Sequence, residues 1–313
     1  MPDRDGAAAG RDPAPFRARS AALFVLLAGA AFSVASPLAR WARPAHPLLV
    51  AFGRLAIAAV LLGALDVRAL PAAARALSPR QRWTVFAAGA LLAAHFACFL
   101  WGLEHTSLPA AVSLVSLEPL GVVVCAWALL GVAPSRAEQL GVALATAGAV
   151  VVAQGVGVGE HRLIGDLVVV AAVALYGLYL TVARALRDAL PARSYAALVY
   201  ASASVVLAVM LALAPAAFAS PAWPPPAHAI VAIAALGLIP TIIGHTMVQT
   251  ASRSLPPAIV ALVSPGETVG SIAIGAALLG AVPSRAELVG AAIIVAGSAV
   301  AIVAPRGGRG GSY

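Results

Sequence analysis

Residues 128–138 read ALLGVAPSRAE, and residues 277–287 read ALLGAVPSRAE. Nine of the eleven positions agree at an offset of 149. The same offset carries Glu118 onto Glu267, Arg136 onto Arg285 and Glu138 onto Glu287. It also carries Gly141 and Gly148 onto Gly290 and Gly297. Agreement in both a local motif and its long-range spacing marks a duplicated unit.

The chain around the two copies is unusually apolar. Hydrophobic residues make up 62% of its 313 positions and charged residues 10%, against roughly 45–50% and about 25% in ordinary globular proteins. So few charges cannot cover a soluble core of this size, so the chain is read as an integral membrane protein. All twenty basic residues are Arg and the net charge is +8. These arginines lie between apolar runs. That pattern points to membrane topology and anionic lipid headgroups, not to nucleic acid.

A helix that crosses the bilayer core needs about 20 apolar residues. The sequence predicts ten such helices, at 21–39, 47–65, 83–103, 108–130, 137–155, 165–183, 195–213, 228–249, 257–279 and 287–304. The five prolines between Ala214 and Pro226 separate the seventh from the eighth. The first run is longer than a signal-peptide core and is read as a retained span. Residues 1–20 and 306–313 are expected to be disordered flanks, the first of them cytoplasmic. The runs are continuous, not alternating, which argues against an outer-membrane barrel. With the N-terminus inside, fifteen arginines fall on the cytoplasmic side and four, Arg40, Arg43, Arg162 and Arg285, fall outside. The bias predicts cytoplasmic termini.

Helices 1–5 (residues 21–155) and 6–10 (165–305) are then the two repeats. Five is odd, so the second repeat enters the membrane from the opposite side. The expected fold is therefore all-α, with ten transmembrane helices in two inverted five-helix repeats. Inverted repeats are typical of secondary transporters, with the binding site near the bilayer midplane between the halves.

Several ordered motifs sharpen this. They are His95-Phe96-Ala97, Gly102-Leu103-Glu104-His105-Thr106-Ser107, Leu117-Glu118-Pro119-Leu120, Ala128-Leu129-Leu130-Gly131, Gly244-His245-Thr246 and Pro265-Gly266-Glu267. With the repeat, this set resembles the EamA-type branch of the drug/metabolite transporter superfamily over residues 21–305. The resemblance implies a secondary transporter of small organic metabolites such as amino acids or drugs. It also implies an exporter in the bacterial inner membrane. Members often carry Glu directly after the Gly that ends helices 4 and 9. Here those positions are Val132 and Ala281, so that acid is lost or its role has moved to Glu138 and Glu287.

Polar residues inside apolar runs are the site candidates, because charge at that depth is costly, about 2.5 kcal/mol or more on an insertion scale. Glu118 and Glu267 sit mid-helix in equivalent spans. Each either faces a water-filled cavity as a coupling carboxylate or makes a neutral interhelical hydrogen bond. Pro119, Pro265 and Gly266 stand beside them as helix breakers whose freed carbonyls would line a polar cavity. Arg54 has no counterpart in the second repeat. It is placed to bind an anionic substrate group, to pair with Glu118 or Glu267, or to snorkel. His95, His245 and Gln249 are proton-shuttle or helix–helix hydrogen-bonding candidates. Tyr176 and Tyr179, with Trp101 and Trp127, offer a stacking wall, although core packing or interface anchoring also accounts for them. Pro37 and Pro240 are read as packing kinks. Gly141, Gly148, Gly290 and Gly297 are read as points of close helix contact.

The chain contains no Walker-type phosphate loop and no metal-ligand spacing, so no cofactor is expected. The expected partners are a small metabolite, lipids and, with coupling, protons. The competing reading is a membrane-embedded enzyme acting on lipid-linked substrates. It would need an acid–base cluster at one interface, whereas these acids sit at mid-depth.

Overall fold

The computed structural model describes residues 23, 26–131, 133–183, 186, 189–214, 223–244, 247–248 and 263–303. Among them the chain is helical, with no strand. Helical residues 26–33 lead into α1 (Ala35–Trp41), followed by α2 (Pro47–Leu65), a short α3 (Leu70–Ala76) and α4 (Pro79–Glu104). Next come α5 (Leu108–Val115), α6 (Glu118–Leu130), α7 (Arg136–Ala153), α8 (Leu163–Ala183) and α9 (Ala192–Ala212). The order closes with α10 (Ala227–Leu236), a π-helical stretch (Gly237–Gly244), α11 (Val263–Leu279) and α12 (Arg285–Val303).

Among the described residues, six helices are long and apolar enough to cross a membrane. They are α2, α4, α7, α8, α9 and α10 with its π-helical continuation. The α5–α6 pair, bent by 41°, makes a seventh. Large apolar side chains such as Val60, Leu129, Leu167, Val205 and Ile230 are exposed on the outside of the bundle. The fully buried positions are largely alanine, among them Ala51, Ala58, Ala88, Ala110, Ala172 and Ala203. This distribution belongs to a lipid-facing bundle, where bulky residues meet acyl chains and small ones let helices approach.

Helix ends follow local chemistry. Ser78 caps α4 in a capping box with Gln81, and Ser107 caps α5. The repeated Pro-Ser-Arg-Ala-Glu motif forms the same box twice. Ser135 caps Glu138, whose carboxylate accepts the Ser135 N–H at 2.8 Å; Ser284 caps Glu287, whose carboxylate accepts the Ser284 N–H at 2.6 Å. Both acids therefore serve helix starts, satisfying otherwise orphaned amides. Gly131 and Gly280, related by the same offset, adopt left-handed φ of 67° and 64°, the conformation that ends a helix at glycine.

Repeat-equivalent α7 and α12 cross in antiparallel sense through glycines. A Cβ on Gly141 would lie 2.6 Å from the Gly297 carbonyl oxygen, and one on Gly148 2.9 Å from that of Gly290. α4 and α8 are equally close: a Cβ on Gly102 would lie 3.0 Å from the Gly165 oxygen, and one on Gly165 2.4 Å from that of His105. The expectation of close contact at these repeated glycines is met.

Described residues beside the first, third, fifth, seventh and ninth expected connections meet at one end, the last through Ser107, which donates to Glu287. Arg40 donates to the carbonyls of Leu103 (2.6 Å) and Thr106 (2.7 Å) and pairs with Glu160. Arg43 pairs with Glu104 at 2.6 Å and Glu160 at 2.9 Å, and its carbonyl contacts the His228 ring at 2.8 Å. At the opposite end, Ser194 donates to Asp66 at 2.5 Å.

Three expected helices are interrupted, the first of them at Val34, between helical residues 26–33 and α1. The fourth span breaks at Ser116–Leu117, one turn before Pro119, which lacks the N–H to continue the ladder. In the eighth span Pro240 is more than a packing kink. The helix widens there into the π stretch, and Thr241 Oγ1 donates to the Leu236 carbonyl (2.7 Å) that Pro240 cannot serve. No break occurs at Gly266, since α11 runs continuously from Val263.

Candidate functional site

A cavity of about 390 Å³ lies between the helices, lined by Arg54, His95, Glu118, Pro119, Tyr176 and Glu267, with Ser264 and an otherwise apolar remainder. The helix breaks position its polar groups. Ser116, at the α5–α6 break, hydrogen-bonds Thr268 of α11, and its carbonyl accepts from Ser298 of α12 at 3.2 Å. A backbone carbonyl freed from the ladder thus finds a partner on a neighbouring helix, as a buried polar group must. The contact also fixes the two acids, since Glu118 follows Ser116 by two residues and Glu267 precedes Thr268.

Arg54 of α2 is 4% exposed, which rules out snorkelling. Its Nε and Nη2 donate to Thr241 Oγ1 at 3.2 and 3.0 Å, and its guanidinium carbon lies 4.4 Å from the centre of the Phe96 ring. Thr241 spends its own proton on Leu236, so both its lone pairs face the arginine. Among the described residues no carboxylate lies within ion-pair distance of Arg54. The guanidinium is thus held by a neutral hydroxyl and an aromatic face, a cation–π contact.

His95 Nδ1 lies 2.9 Å from the Ala172 carbonyl. A carbonyl only accepts, so Nδ1 carries the proton. In the neutral ring Nε2 is then an acceptor, and it faces Glu118 Oε1 at 3.8 Å. The imidazole stacks parallel to Phe99 at 6.2 Å and lies 5.1 Å from Tyr176. Glu267 opens onto the same cavity with no hydrogen-bond partner among the described residues.

Six sequence candidates therefore converge: Arg54, His95, Glu118, Pro119, Tyr176 and Glu267. Tyr179 packs against the core, 5.8 Å from Tyr176, and is not among the lining residues. Trp101 stacks on His105 at 3.7 Å, and Trp127 is exposed on the bundle surface, so of the two alternatives the stacking wall does not apply to them. Phe32, Phe96 and Phe99 supply it instead. His245 and Gln249 lie outside the described residues. Thr241 and the three phenylalanines were not among the sequence candidates. A hydroxyl or an apolar ring inside an apolar run carries no local signal; only the proline before Thr241 marked the place. No group of three or more His, Cys, Asp or Glu side chains placed to hold a metal ion occurs among the described residues.

The EamA-like transporter family model matches residues 19–154 and again residues 163–303. No curated protein matches the chain. One solved structure, described only as "Crystal structure of protein", is similar with a TM-score of 0.62 at 22% identity. The match covers 90% of this chain and 96% of that one, and carries the likeness of fold alone.

Proposed function

The chain belongs to the EamA-like transporter family, and from that premise we propose that it is a ten-helix exporter of small organic metabolites working by alternating access. Residues 21–155 and 165–305 form its inverted repeats. The antiparallel α7–α12 crossing and the gathering of the five odd loops at one end support this reading. The arginine bias assigns that end to the outside of the bacterial inner membrane, with both termini cytoplasmic.

The observation that carries the function is a cavity holding one arginine without an ion-pair partner among the described residues, two carboxylates and an aromatic wall. Arg54 binds an anionic group of the substrate, and the phenylalanines and Tyr176 pack its apolar part. Glu118 and Glu267 bind a cationic group or exchange a proton with it. An amino-acid-like molecule fits this set. His95 presents an acceptor nitrogen toward Glu118, so a protonated Glu118 has a partner and an ionised one returns to the cavity water. Loading and release then follow the protonation of the acids, which is the basis for proton coupling.

The test measures uptake into inside-out vesicles against a panel of amino acids and related metabolites, with and without a pH gradient. Glu118→Gln and Glu267→Gln keep the shape of the neutral acid and remove its titration. The expected result is normal membrane abundance with loss of pH-driven accumulation in at least one variant. Unchanged accumulation in the double variant refutes the coupling role of both acids.

A further inference from the structure

A second buried charge cluster lies at the outer end, away from the cavity. His161, in the loop between α7 and α8, is 1% exposed. Its Nε2 lies 2.7 Å from Asp166 Oδ2, and its Nδ1 lies 3.2 Å from Glu287 Oε1, close enough for an ion pair though poorly aligned for a hydrogen bond. Ionised carboxylates only accept, so a ring flanked this way holds both protons. Burial alone would lower the imidazole pKa, but the hydrogen bond to Asp166 and the charges of Asp166 and Glu287 raise it to about 9. Thr106 donates to the other Asp166 oxygen at 2.7 Å, and Ser107 donates to Glu287. The ring's seat exists because residue 155 is glycine: a Cβ there would lie 2.9 Å from His161 Nδ1.

The two carboxylates ride on different bodies. Asp166 opens α8, which is locked backbone-to-backbone against α4 at Gly102 and Gly165. Glu287 opens α12, locked against α7 by four glycines. Helices in contact at the backbone move as units, so separation of the two pairs at this end has to break the bonds of His161. The offset of 149 takes position 161 to 310, which is glycine, so the second repeat provides no equivalent histidine at the opposite face.

We propose that His161 is the pin of the outer gate: it ties the α4–α8 pair to the α7–α12 pair and must release a carboxylate before the cavity opens outward. The inference rests on the carrier reading above. Arg40, Arg43, Glu104 and Glu160 form a second ring of charge around the same closure.

The test reads access, not transport. Cys98 and Cys125 are replaced by alanine, and Phe99→Cys puts one thiol on the cavity wall. A membrane-impermeant maleimide is then added outside right-side-out vesicles. His161→Gln should accelerate labelling at least tenfold, and Glu287→Gln, which keeps the capping box, should also accelerate it. Arg162→Gln, an exposed neighbour, should leave the rate unchanged. Parental labelling rates in both pin variants, or loss of both from the membrane, would overturn the proposal. Accelerated labelling in a protein that transports no member of the panel would sink the carrier reading and leave the gate standing. Intact transport with unaltered labelling would sink the gate alone.

Discussion

The glycine crossing of α7 and α12 permits a quantitative test of the packing. In Gly148→Ala the new Cβ lies 2.9 Å from the Gly290 oxygen and 2.9 Å from the Ile294 nitrogen. Ordinary contacts of carbon begin near about 3.5 Å, so the helices must part by roughly half an ångström there. Both obstacles are backbone, and no rotamer change relieves them. A gap of that size forfeits a quarter or more of each local dispersion contact. With the strain of overpacking, the cost is about 1–3 kcal/mol. Gly290→Ala meets the Gly148 oxygen and the Val152 nitrogen at 2.7 Å and should cost as much. The double variant should cost less than the two singles together, because one separation relieves both sites. Gly266→Ala is the control: its Cβ meets nothing within 4 Å, and the lost chain entropy of glycine should stabilise the helix by up to about 1 kcal/mol. Thermal unfolding in detergent should show losses of about 2–4 °C per kcal/mol for the crossing variants. A Gly148→Ala protein as stable as the parent would refute the contact.

Three further outcomes are expected. Arg54→Ala should abolish or strongly reduce transport at near-normal abundance, and Arg54→Lys should rescue poorly, since an ammonium lacks the planar fork seated on Thr241 and Phe96; full activity in the alanine variant would exclude substrate binding by Arg54. A reporter active only in the periplasm should signal when fused near Trp223 and stay silent near Gly310; a signal from the tail fusion would refute the inverted-repeat topology. His161 contributes stability that is complete below its ordinary pKa near 6.5 and is lost as pH rises toward about 9. The native state holds the proton more tightly, so the loss across that window is on the order of 3 kcal/mol. Melting temperature should fall between pH 6.5 and 9 in the parent and less in His161→Gln; equal slopes would count against the buried imidazolium.

The cavity was readable in the sequence to the extent that its members were polar in apolar surroundings. Arg54, His95, Glu118 and Glu267 stood out because a bilayer tolerates such groups only with a reason. Phe96 and Phe99 did not, because an aromatic ring suits lipid, core and cavity equally. Thr241 was hidden for another reason: its role depends on the π turn, a change of helical register that Pro240 hints at without specifying. Glu138 and Glu287 both close capping boxes, for which Ser-Arg-Ala-Glu is itself a signature, and Glu287 in addition faces His161. His161 and Asp166 were not singled out in the sequence, because the contacts that bury them come from residues 106–107 and 287, far along the chain.

The glycine crossing has a consequence for how the halves move. The repeat operation turns the contact between Gly141 and Gly297 into the contact between Gly290 and Gly148, so the pseudo-twofold axis passes between them. If the halves exchange shapes to turn the cavity from one side to the other, this crossing maps onto itself. On the proposed alternating-access reading it stays in place while its surroundings exchange. Backbone can be pressed against backbone here without resisting the cycle.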